Sequence, residues 1–179
     1  MEIWFTSDTH FDHENILKYE NRPFADANEM TEALIDNWNN VVKPDDLIFH
    51  LGDVFFTSAA RMEYIAKRLN GRKILIRGNH DKGISNGKFR KLGFDVYNYY
   101  FFEDFILSHY PQNENALRTA IANTDLKGNI CGHLHSKGKD LPKDIYKCVS
   151  VELTNYKPIN FSDIRKEIFV RKMVKRFDT

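Results

Sequence analysis

The chain lacks most of the features that mark secreted, membrane-bound or polyanion-binding proteins. It holds only two cysteines, Cys131 and Cys148, without C-x-x-C spacing, so a disulfide framework is not expected. No apolar run approaches the roughly 20 residues that span a bilayer. Residues 1–5 show neither the basic segment nor the long apolar segment of a secretion signal. The net charge of +1 gives no overall attraction to nucleic acid or membrane. These absences predict a reduced, cytoplasmic protein without a membrane partner.

The length and composition are those of an ordinary folded domain. The 179 residues are 42% hydrophobic and 28% charged, which suffices for one sizeable core. No internal repeat, low-complexity stretch or linker divides the sequence. We therefore expect a single domain over residues 1–179, and the sequence does not determine its oligomeric state.

Short apolar or β-branched runs predict buried strands that end at polar or glycine-led loops. These runs are residues 3–6, 47–51, 73–77, 105–108 and 129–131. Apolar residues at helical spacing predict amphipathic helices over 28–42 and 59–69. The resulting β-α-β-α-β order indicates a largely parallel sheet.

The second half of the chain has a different pattern. Residues 96–102 and 105–108 are separated only by Glu103-Asp104, which suits a hairpin and predicts a mixed or antiparallel sheet. A last strand is expected around 147–153. It leads to a terminal helix with Ser162 as N-cap and with apolar positions Ile164, Ile168, Met173 and Val174.

Aspartate, asparagine and histidine gather directly after these predicted strands. Four strings carry them: Asp8-Thr9-His10, Gly52-Asp53, Gly78-Asn79-His80-Asp81 and Gly132-His133-Leu134-His135. The isolated His109 comes just after the apolar run 105–107. Because open α/β sheets build their sites at the carboxyl ends of strands, we expect these side chains to converge.

The donor types point to divalent metal ions. Seven candidate ligands offer imidazole, carboxylate and amide groups and no thiolate: Asp8, His10, Asp53, Asn79, His109, His133 and His135. Such a set favours Mn, Fe, Zn, Co or Ni over Mg or Ca. Asp8 and His10, like His133 and His135, are two residues apart, so in extended backbone each pair points the same way.

In their order along residues 8–135, these strings resemble the calcineurin-like metallophosphoesterases, whose pattern is D-x-H, GD, GNH(D/E), a lone H and GHxH. Residues 9–16 are similar to a small, cap-less bacterial and phage type within that family. The resemblance implies an α/β fold, a four-layer α/β/β/α sandwich of two mixed β-sheets flanked by helices. It also implies hydrolysis of phosphoric esters through a metal-bound hydroxide.

The resemblance further implies a role for each residue. One metal would be bound by Asp8, His10 and His135, the second by Asn79, His109 and His133, and both by a bridging Asp53. His80 would act as the catalytic histidine that contacts the phosphate and protonates the leaving oxygen, and Asp81 would fix the tautomer of His80. Phe56 replaces the second aspartate that many members carry, and the D-R-G extension of protein Ser/Thr phosphatases is missing.

The expected substrate is a phosphodiester of a small nucleotide or cyclic nucleotide. Short connections leave no room for a cap domain, so the site should be open. Two alternatives stay open. One is a nuclease acting on polymeric nucleic acid. The basic segment 162–179 could attract nucleic acid, although a solvated helix face is the favoured interpretation of that segment. The other is a non-catalytic interaction scaffold of the same fold.

Several further residues have a simpler interpretation than a role in the site. His50 lies inside a predicted strand and is expected to be structural. His13 is expected either at the rim of the site or at the start of a helix. Arg22 and Arg77 are expected to be surface or strand-end charges rather than phosphate contacts. The aromatic run over 97–105 favours sheet packing over base stacking.

Overall fold

Two β-sheets packed face to face form the centre of the molecule in the computed structural model, which describes residues 1–168. The strands are β1 (Ile3–Thr6), β2 (Leu47–His50), β3 (Arg72–Ile76), β4 (Phe94–Tyr97), β5 (Tyr99–Phe102), β6 (Phe105–Ser108), β7 (Gly128–Cys131), β8 (Tyr146–Cys148) and β9 (Ile159–Asn160). The helices are α1 (Glu14–Tyr19), α2 (Ala27–Val41), α3 (Ala59–Arg68), α4 (Asn86–Lys91) and α5 (Glu114–Asn123), and residues 161–168 are also helical.

The first sheet has the order β4-β3-β2-β1-β9, with β1 to β4 parallel and β9 antiparallel to β1. Helices α2 and α3 begin where the side chains of Asp26 and Ser58 accept hydrogen bonds from backbone N–H groups. Their apolar faces, which include Trp38 and Ile65, are buried in the core on the outer side of this sheet. The predicted parallel β-α-β-α-β unit is confirmed, with helix ends within one residue.

The second sheet has the order β5-β6-β7-β8. Strand β5 is antiparallel to β6, and β6, β7 and β8 are parallel, so the sheet is mixed as predicted. Helix α5 covers part of its outer face through Leu117, which packs with Ile145 and Tyr146. The molecule is therefore the four-layer α/β/β/α sandwich that the sequence resemblance implied.

Aromatic rings fill the space between the sheets. Phe5 and Phe49 from the first sheet pack in one cluster with Phe105, Leu107 and Ile130 from the second. The ring of Phe49 stacks on Phe5 at 5.2 Å between centroids and lies 5.0 Å from the ring of Phe102. This layer fixes the two sheets to each other and hence sets where their strand ends meet.

Three predicted elements differ from the structure. The predicted strand 96–102 is two strands, because the chain passes from the first sheet to the second at Asn98. The predicted strand 147–153 stops at Cys148, because the chain then leaves the second sheet to pair Ser150 with Ser7 beyond the end of β1. Ser162 is not the N-cap: helical residues begin at 161, and the Asn160 side chain accepts from the Ser162 N–H. Met173 and Val174 lie outside the described residues.

None of the helices within residues 1–168 combines the length and the apolar character that crossing a membrane requires.

The packing between the sheets gives a stability prediction. Replacing the fully buried Phe49 by alanine should lower the free energy of unfolding by about 3 to 5 kcal/mol, because it opens a cavity between the sheets. Urea denaturation measures the loss, and Phe49→Leu should lose less. The matched control is Tyr64→Ala on the surface of α3, which should change stability by no more than about 0.5 kcal/mol. A similar loss in both alanine variants would contradict this account of the core.

Candidate metal centre

The seven predicted ligands meet where five strands end. Asp8 follows β1, Asp53 follows β2, Asn79 follows β3, His109 follows β6 and His133 follows β7. Six of the seven fall into two groups whose ligand atoms lie within 4.8 Å of one another: Asp8, His10 and His135 in one, and Asp53, His109 and His133 in the other. The Oδ1 atom of Asn79, the seventh residue, lies 2.9 Å from His109 Nε2 and so belongs beside the second group.

The carboxylate of Asp53 lies between the two groups. Its Oδ2 atom is 3.4 Å from His109 Nε2 and 3.7 Å from His10 Nε2. Its Oδ1 atom accepts a hydrogen bond of 2.9 Å from the backbone N–H of His80, which fixes the orientation of the carboxylate. One oxygen of Asp53 is thus held by the protein while the other faces imidazoles from both groups.

The backbone at the site adopts a conformation that residues other than glycine rarely take. Five of the seven predicted ligands have positive φ angles near the left-handed region: Asp8, His10, Asp53, His133 and His135. Each such residue costs on the order of 1 to 3 kcal/mol. The expected extended geometry at Asp8 and His10 is therefore wrong, although both side chains still belong to one ligand group. His133 and His135 also turn, and their side chains join different groups.

Two glycines make the close approach of the loops possible. A Cβ atom at Gly78 would collide with the Asp53 carboxylate, and one at Gly132 would collide with the Ser7 hydroxyl. Any side chain at these positions would push the loops after β3 and β7 away from the strand ends that carry Asp53 and Asp8.

Hydrogen bonds from both sheets hold the buried carboxylate of Asp8. Its Oδ2 atom accepts from the hydroxyls of Ser7 and Ser150 at 2.6 and 2.7 Å. The backbone N–H of His133 also donates to it. Burial raises the pKa of Asp8, an effect that the nearby His135 and His109 oppose. Neighbouring positive charge and the hydrogen bonds from the Ser7 and Ser150 hydroxyls therefore favour the ionised form of this group.

The ring of His109 is held in a position that suits a ligand. Its Nδ1 atom donates to the carbonyl of Leu51 at 2.7 Å, which leaves Nε2 facing the oxygens of Asn79 and Asp53. Burial acts to lower the pKa of His109, but the Asp53 and Asp8 carboxylates outweigh it and raise the pKa to about 9. A proton on Nε2 satisfies these oxygens, and a metal cation in its place would do the same.

His10 supplies the test of whether the residues fit a metal. Its buried Nε2 atom has no hydrogen-bond partner. Burial lowers the pKa of His10 to about 2, although Asp53 partly opposes this, so the ring is neutral. A neutral imidazole with an unpaired buried nitrogen facing a carboxylate is unfavourable unless a cation lies between them. With the imidazole, carboxylate and amide donors around it, the site fits borderline divalent metals.

An ion pair that the sequence analysis missed supports the first group. Arg22 is buried rather than exposed, and it donates to the backbone carbonyls of Asp8 and Thr9 at 2.7 and 2.8 Å. It also pairs with Glu152, whose Oε1 atom lies 3.0 Å from Nδ1 of His135. Burial acts to raise the pKa of Glu152, but His135 and Arg22 hold it below its usual value. The expectation of a surface charge at Arg22 is wrong, and no local pattern marks Glu152.

His80 and Asp81 occupy different surroundings. His80 is exposed, belongs to neither ligand group, and has its ring centroid 5.3 Å from that of His10. The buried Asp81 carboxylate accepts from the backbone N–H groups of Asp53, Val54 and Gly78. Its two oxygens therefore tie the loops after β2 and β3 together. This corrects the expectation that Asp81 orients the His80 ring.

The two remaining histidines, His50 and His13, lie in different surroundings. His50 is fully buried, lies 2.9 Å from the Thr9 hydroxyl, and has its pKa lowered to about 3 by burial, in line with a structural role. The His13 side chain makes no capping hydrogen bond to α1. Its Nδ1 atom lies 3.3 Å from Nδ1 of His10, and its ring stacks on the exposed Phe56 at 3.9 Å. His13 therefore meets both expectations: it directly precedes α1 as the N-cap residue, and its ring lies beside the site.

Comparison with known proteins agrees with this geometry. The family model of the calcineurin-like phosphoesterases matches residues 1–114. His133 and His135 lie beyond that match, yet the fold brings them to the same cluster. The uncharacterized protein MJ1445 of Methanocaldococcus jannaschii is 39% identical over 182 residues, which cover 97% of this chain and 95% of that protein.

Solved structures show the same fold. A protein of unknown function from Aquifex aeolicus, AQ665, is similar at a TM-score of 0.74 and 32% identity over 92% of this chain and 98% of that one. The nuclease MPE of Pseudomonas putida is similar in fold at a TM-score of 0.52 and 23% identity over 74% of this chain and 61% of that one. By its matched residues and its ligand groups, the chain belongs to the calcineurin-like phosphoesterase family of metal-dependent phosphoric ester hydrolases.

Proposed function

We propose that this chain hydrolyses phosphodiesters of nucleotides or cyclic nucleotides with two divalent metal ions. The observation that carries the proposal is the position of Asp53, whose Oδ2 atom faces an imidazole of each ligand group at 3.4 and 3.7 Å. A carboxylate in that position can be shared by two cations. A single closed tetrahedral site would need no such sharing.

In the proposed centre every predicted ligand has a place. Asp8, His10 and His135 would hold one ion, Asn79, His109 and His133 the other, and Asp53 both. Mn, Fe, Zn, Ni and Co suit these donors. When bound, such ions lower the pKa of water and neutralise phosphoryl oxygens. The chain itself contributes the ligand positions, the neutral state of His10 and the two serine hydroxyls that hold the Asp8 carboxylate.

His80 is the proposed proton donor to the leaving oxygen. Its backbone is fixed by the hydrogen bond from its N–H to Asp53, while its ring is exposed at the rim beside His10. A ring that is next to the ligands but outside both groups can reach a substrate oxygen without losing a metal. Asp81 acts indirectly, because it positions the loops that carry Asp53 and His80.

Aromatic side chains on two sides of the site support a diester over a monoester. The half-exposed Phe56 stacks on His13 beside His10, and the half-exposed Tyr110 lies over His133 with ring centroids 4.2 Å apart. A diester carries an organic group on each of two oxygens, whereas a monoester carries only one. The complete set of seven donors also favours an enzyme over a non-catalytic scaffold.

The proposed function gives a prediction about metal content and substrate class. Protein stripped of metal and reloaded with Mn, Ni, Zn or Mg should bind two ions per chain of at least one borderline metal. It should then hydrolyse bis(p-nitrophenyl) phosphate faster than p-nitrophenyl phosphate. Elemental analysis and initial rates measure these outcomes. One ion per chain would exclude the two-metal centre, and a faster monoester reaction would exclude the diester preference.

The shared position of Asp53 predicts different losses in two variants. Asp53→Asn should lose affinity for both ions, since its carboxylate faces both groups, whereas His10→Ala should weaken mainly one. Metal content after dialysis measures this. Asp95→Asn on the exposed surface of β4 makes the same chemical change away from the site and should keep both ions. Equal losses in the Asp53 and His10 variants would remove the bridging role.

The role of His80 predicts a dependence on the leaving group. His80→Ala should keep both ions and lose roughly 10²- to 10⁴-fold in turnover on esters of poor leaving groups. The loss should be smaller with p-nitrophenolate, which departs without a proton. His80→Gln keeps a polar side chain but cannot donate a proton from an imidazolium, so it should behave like the alanine variant. If His80→Ala loses a metal ion, or loses the same factor on all esters, His80 is not the proton donor.

A further inference from the structure

Strand β5 presents aromatic rings to solvent at the edge of the second sheet. Its side chains alternate: Tyr100 and Phe102 pack against the core between the sheets, while Tyr99 and Phe101 are 63% and 64% exposed. The sequence-based expectation that this aromatic run serves packing therefore holds for only half of it. Two large exposed rings on an edge strand are unusual unless they contact a ligand or a partner.

These rings line a groove that reaches the metal centre. The groove has a volume of about 450 Å³, and its lining includes Tyr99, Phe101, Asn98, Tyr110, Gln112 and the predicted ligand His109. A neighbouring cavity of about 350 Å³ shares Asn98 and Tyr110 and is lined by Asn79. The β5 rings thus line the same groove as His109, and the cavity beside that groove is lined by Asn79.

Tyr110 is the link between the groove and the metal centre. Its ring centroid lies 4.2 Å from that of His133 and 5.1 Å from that of His109. Its backbone carbonyl accepts from the Ser108 hydroxyl at 2.6 Å, which fixes the turn after β6. The ring is nevertheless 48% exposed, so one part of it touches the ligands and another part faces the groove.

The other groups of the groove suit a nucleobase. Asn98 and Gln112 are exposed amides that can donate and accept hydrogen bonds at the edge of a base. Arg77 adds positive charge, since its guanidinium donates to the backbone carbonyls of Asp81 and Ile84 and to the Asn86 side chain, which are all neutral oxygens. Aromatic faces, amides and a cation beside a phosphate-binding centre are the combination that a nucleotide requires.

We infer that this groove, defined by Tyr99, Phe101, Tyr110, Asn98 and Gln112, binds the nucleobase of the substrate while its phosphate lies at the metal centre. The inference rests on the proposed phosphodiesterase function and names the part of the substrate that the chain recognises. A second copy of the chain is the other candidate occupant of an exposed edge strand. The nucleobase is favoured because the groove contains amides and a cation and runs into the ligand set.

The test compares a ligand that has a base with one that lacks it. The probes are methylphosphonate and the analogue of AMP in which a methylene group replaces the bridging oxygen, both of which resist hydrolysis. Calorimetry measures their affinity for the metal-loaded full chain. The variants are Tyr99→Ala and Phe101→Ala, and the matched control is Tyr64→Ala, another exposed aromatic on α3. Light scattering after gel filtration gives the oligomeric state of each protein.

The nucleotide analogue should bind more tightly than methylphosphonate, and each β5 variant should lose roughly 5- to 100-fold of that affinity. Affinity for methylphosphonate, hydrolysis of methyl p-nitrophenyl phosphate and the Tyr64→Ala control should be unchanged. Equal affinity for the two probes, or variants that weaken both alike, would overturn the inference. So would a dimer that the variants dissociate without any change in nucleotide affinity.

Failure of the groove can be told apart from failure of the proposed function. Wild-type protein that hydrolyses methyl p-nitrophenyl phosphate but shows no preference for the base lacks only the nucleobase site. Wild-type protein that hydrolyses no diester with any of the tested metals contradicts the proposed function, and the two binding affinities still decide whether the groove recognises a base.

Discussion

The buried carboxylate of Asp53, facing imidazoles of two separate groups, is the interaction to which the rest of the site is fitted. Burial alone would favour its neutral form, yet hydrogen bonding and charge from His109, followed by the backbone N–H of His80, lower the pKa of Asp53 to about 2. The carboxylate therefore stays charged, and its Oδ2 atom presents that charge to both groups. Gly78 must lack a side chain for this carboxylate to fit, and Asp81 must hold the amides around it.

The strained backbone at the ligands is held by hydrogen bonds that continue the first sheet beyond its strands. The N–H groups of Asp8, His10 and Phe11 donate to the carbonyls of Gly52, Asp53 and Val54 at 2.9 to 3.1 Å. The loops after β1 and β2 are thereby paired although both leave the extended conformation. Because the positive φ angles of Asp8, His10 and Asp53 occur inside this paired segment, neighbouring backbone hydrogen bonds and the core below offset their conformational cost.

The seven predicted ligands could be picked from the sequence because their signal is local. Asp8, His10, Asp53, Asn79, His109, His133 and His135 each follow a short apolar run, and strand order alone brings such positions to one edge. Helix α5 was not predicted, since it is capped by Asn113 in a stretch whose polar residues resemble a loop. The passage of the chain between sheets at Asn98 was also missed, because aromatic residues continue on both sides of it.

Arg22 and Glu152 could not be found in this way, because their signal exists only in three dimensions. Their ion pair joins residues 130 positions apart, and neither belongs to a recognisable string. Arg22 holds the backbone of Asp8 and Thr9, and Glu152 contacts His135, so one ion pair supports predicted ligands that are far apart in the sequence. Breaking a buried ion pair of this kind leaves one charge buried without a partner. The free-energy cost of that unpaired charge is far larger than the net stabilisation that the intact pair provides.

The same region explains how the two sheets come to share one site. Ser150 pairs with Ser7 across the junction of the sheets, and both hydroxyls donate to Asp8. Both ligand groups need the two sheets together, because Asp8, His10 and Asp53 follow strands of the first sheet. His109, His133 and His135 follow strands of the second. A cation bound by Asp8, His10 and His135 would favour the docked arrangement over any state in which the sheets separate. Assembly of the sandwich and assembly of this ligand group are in that sense the same event.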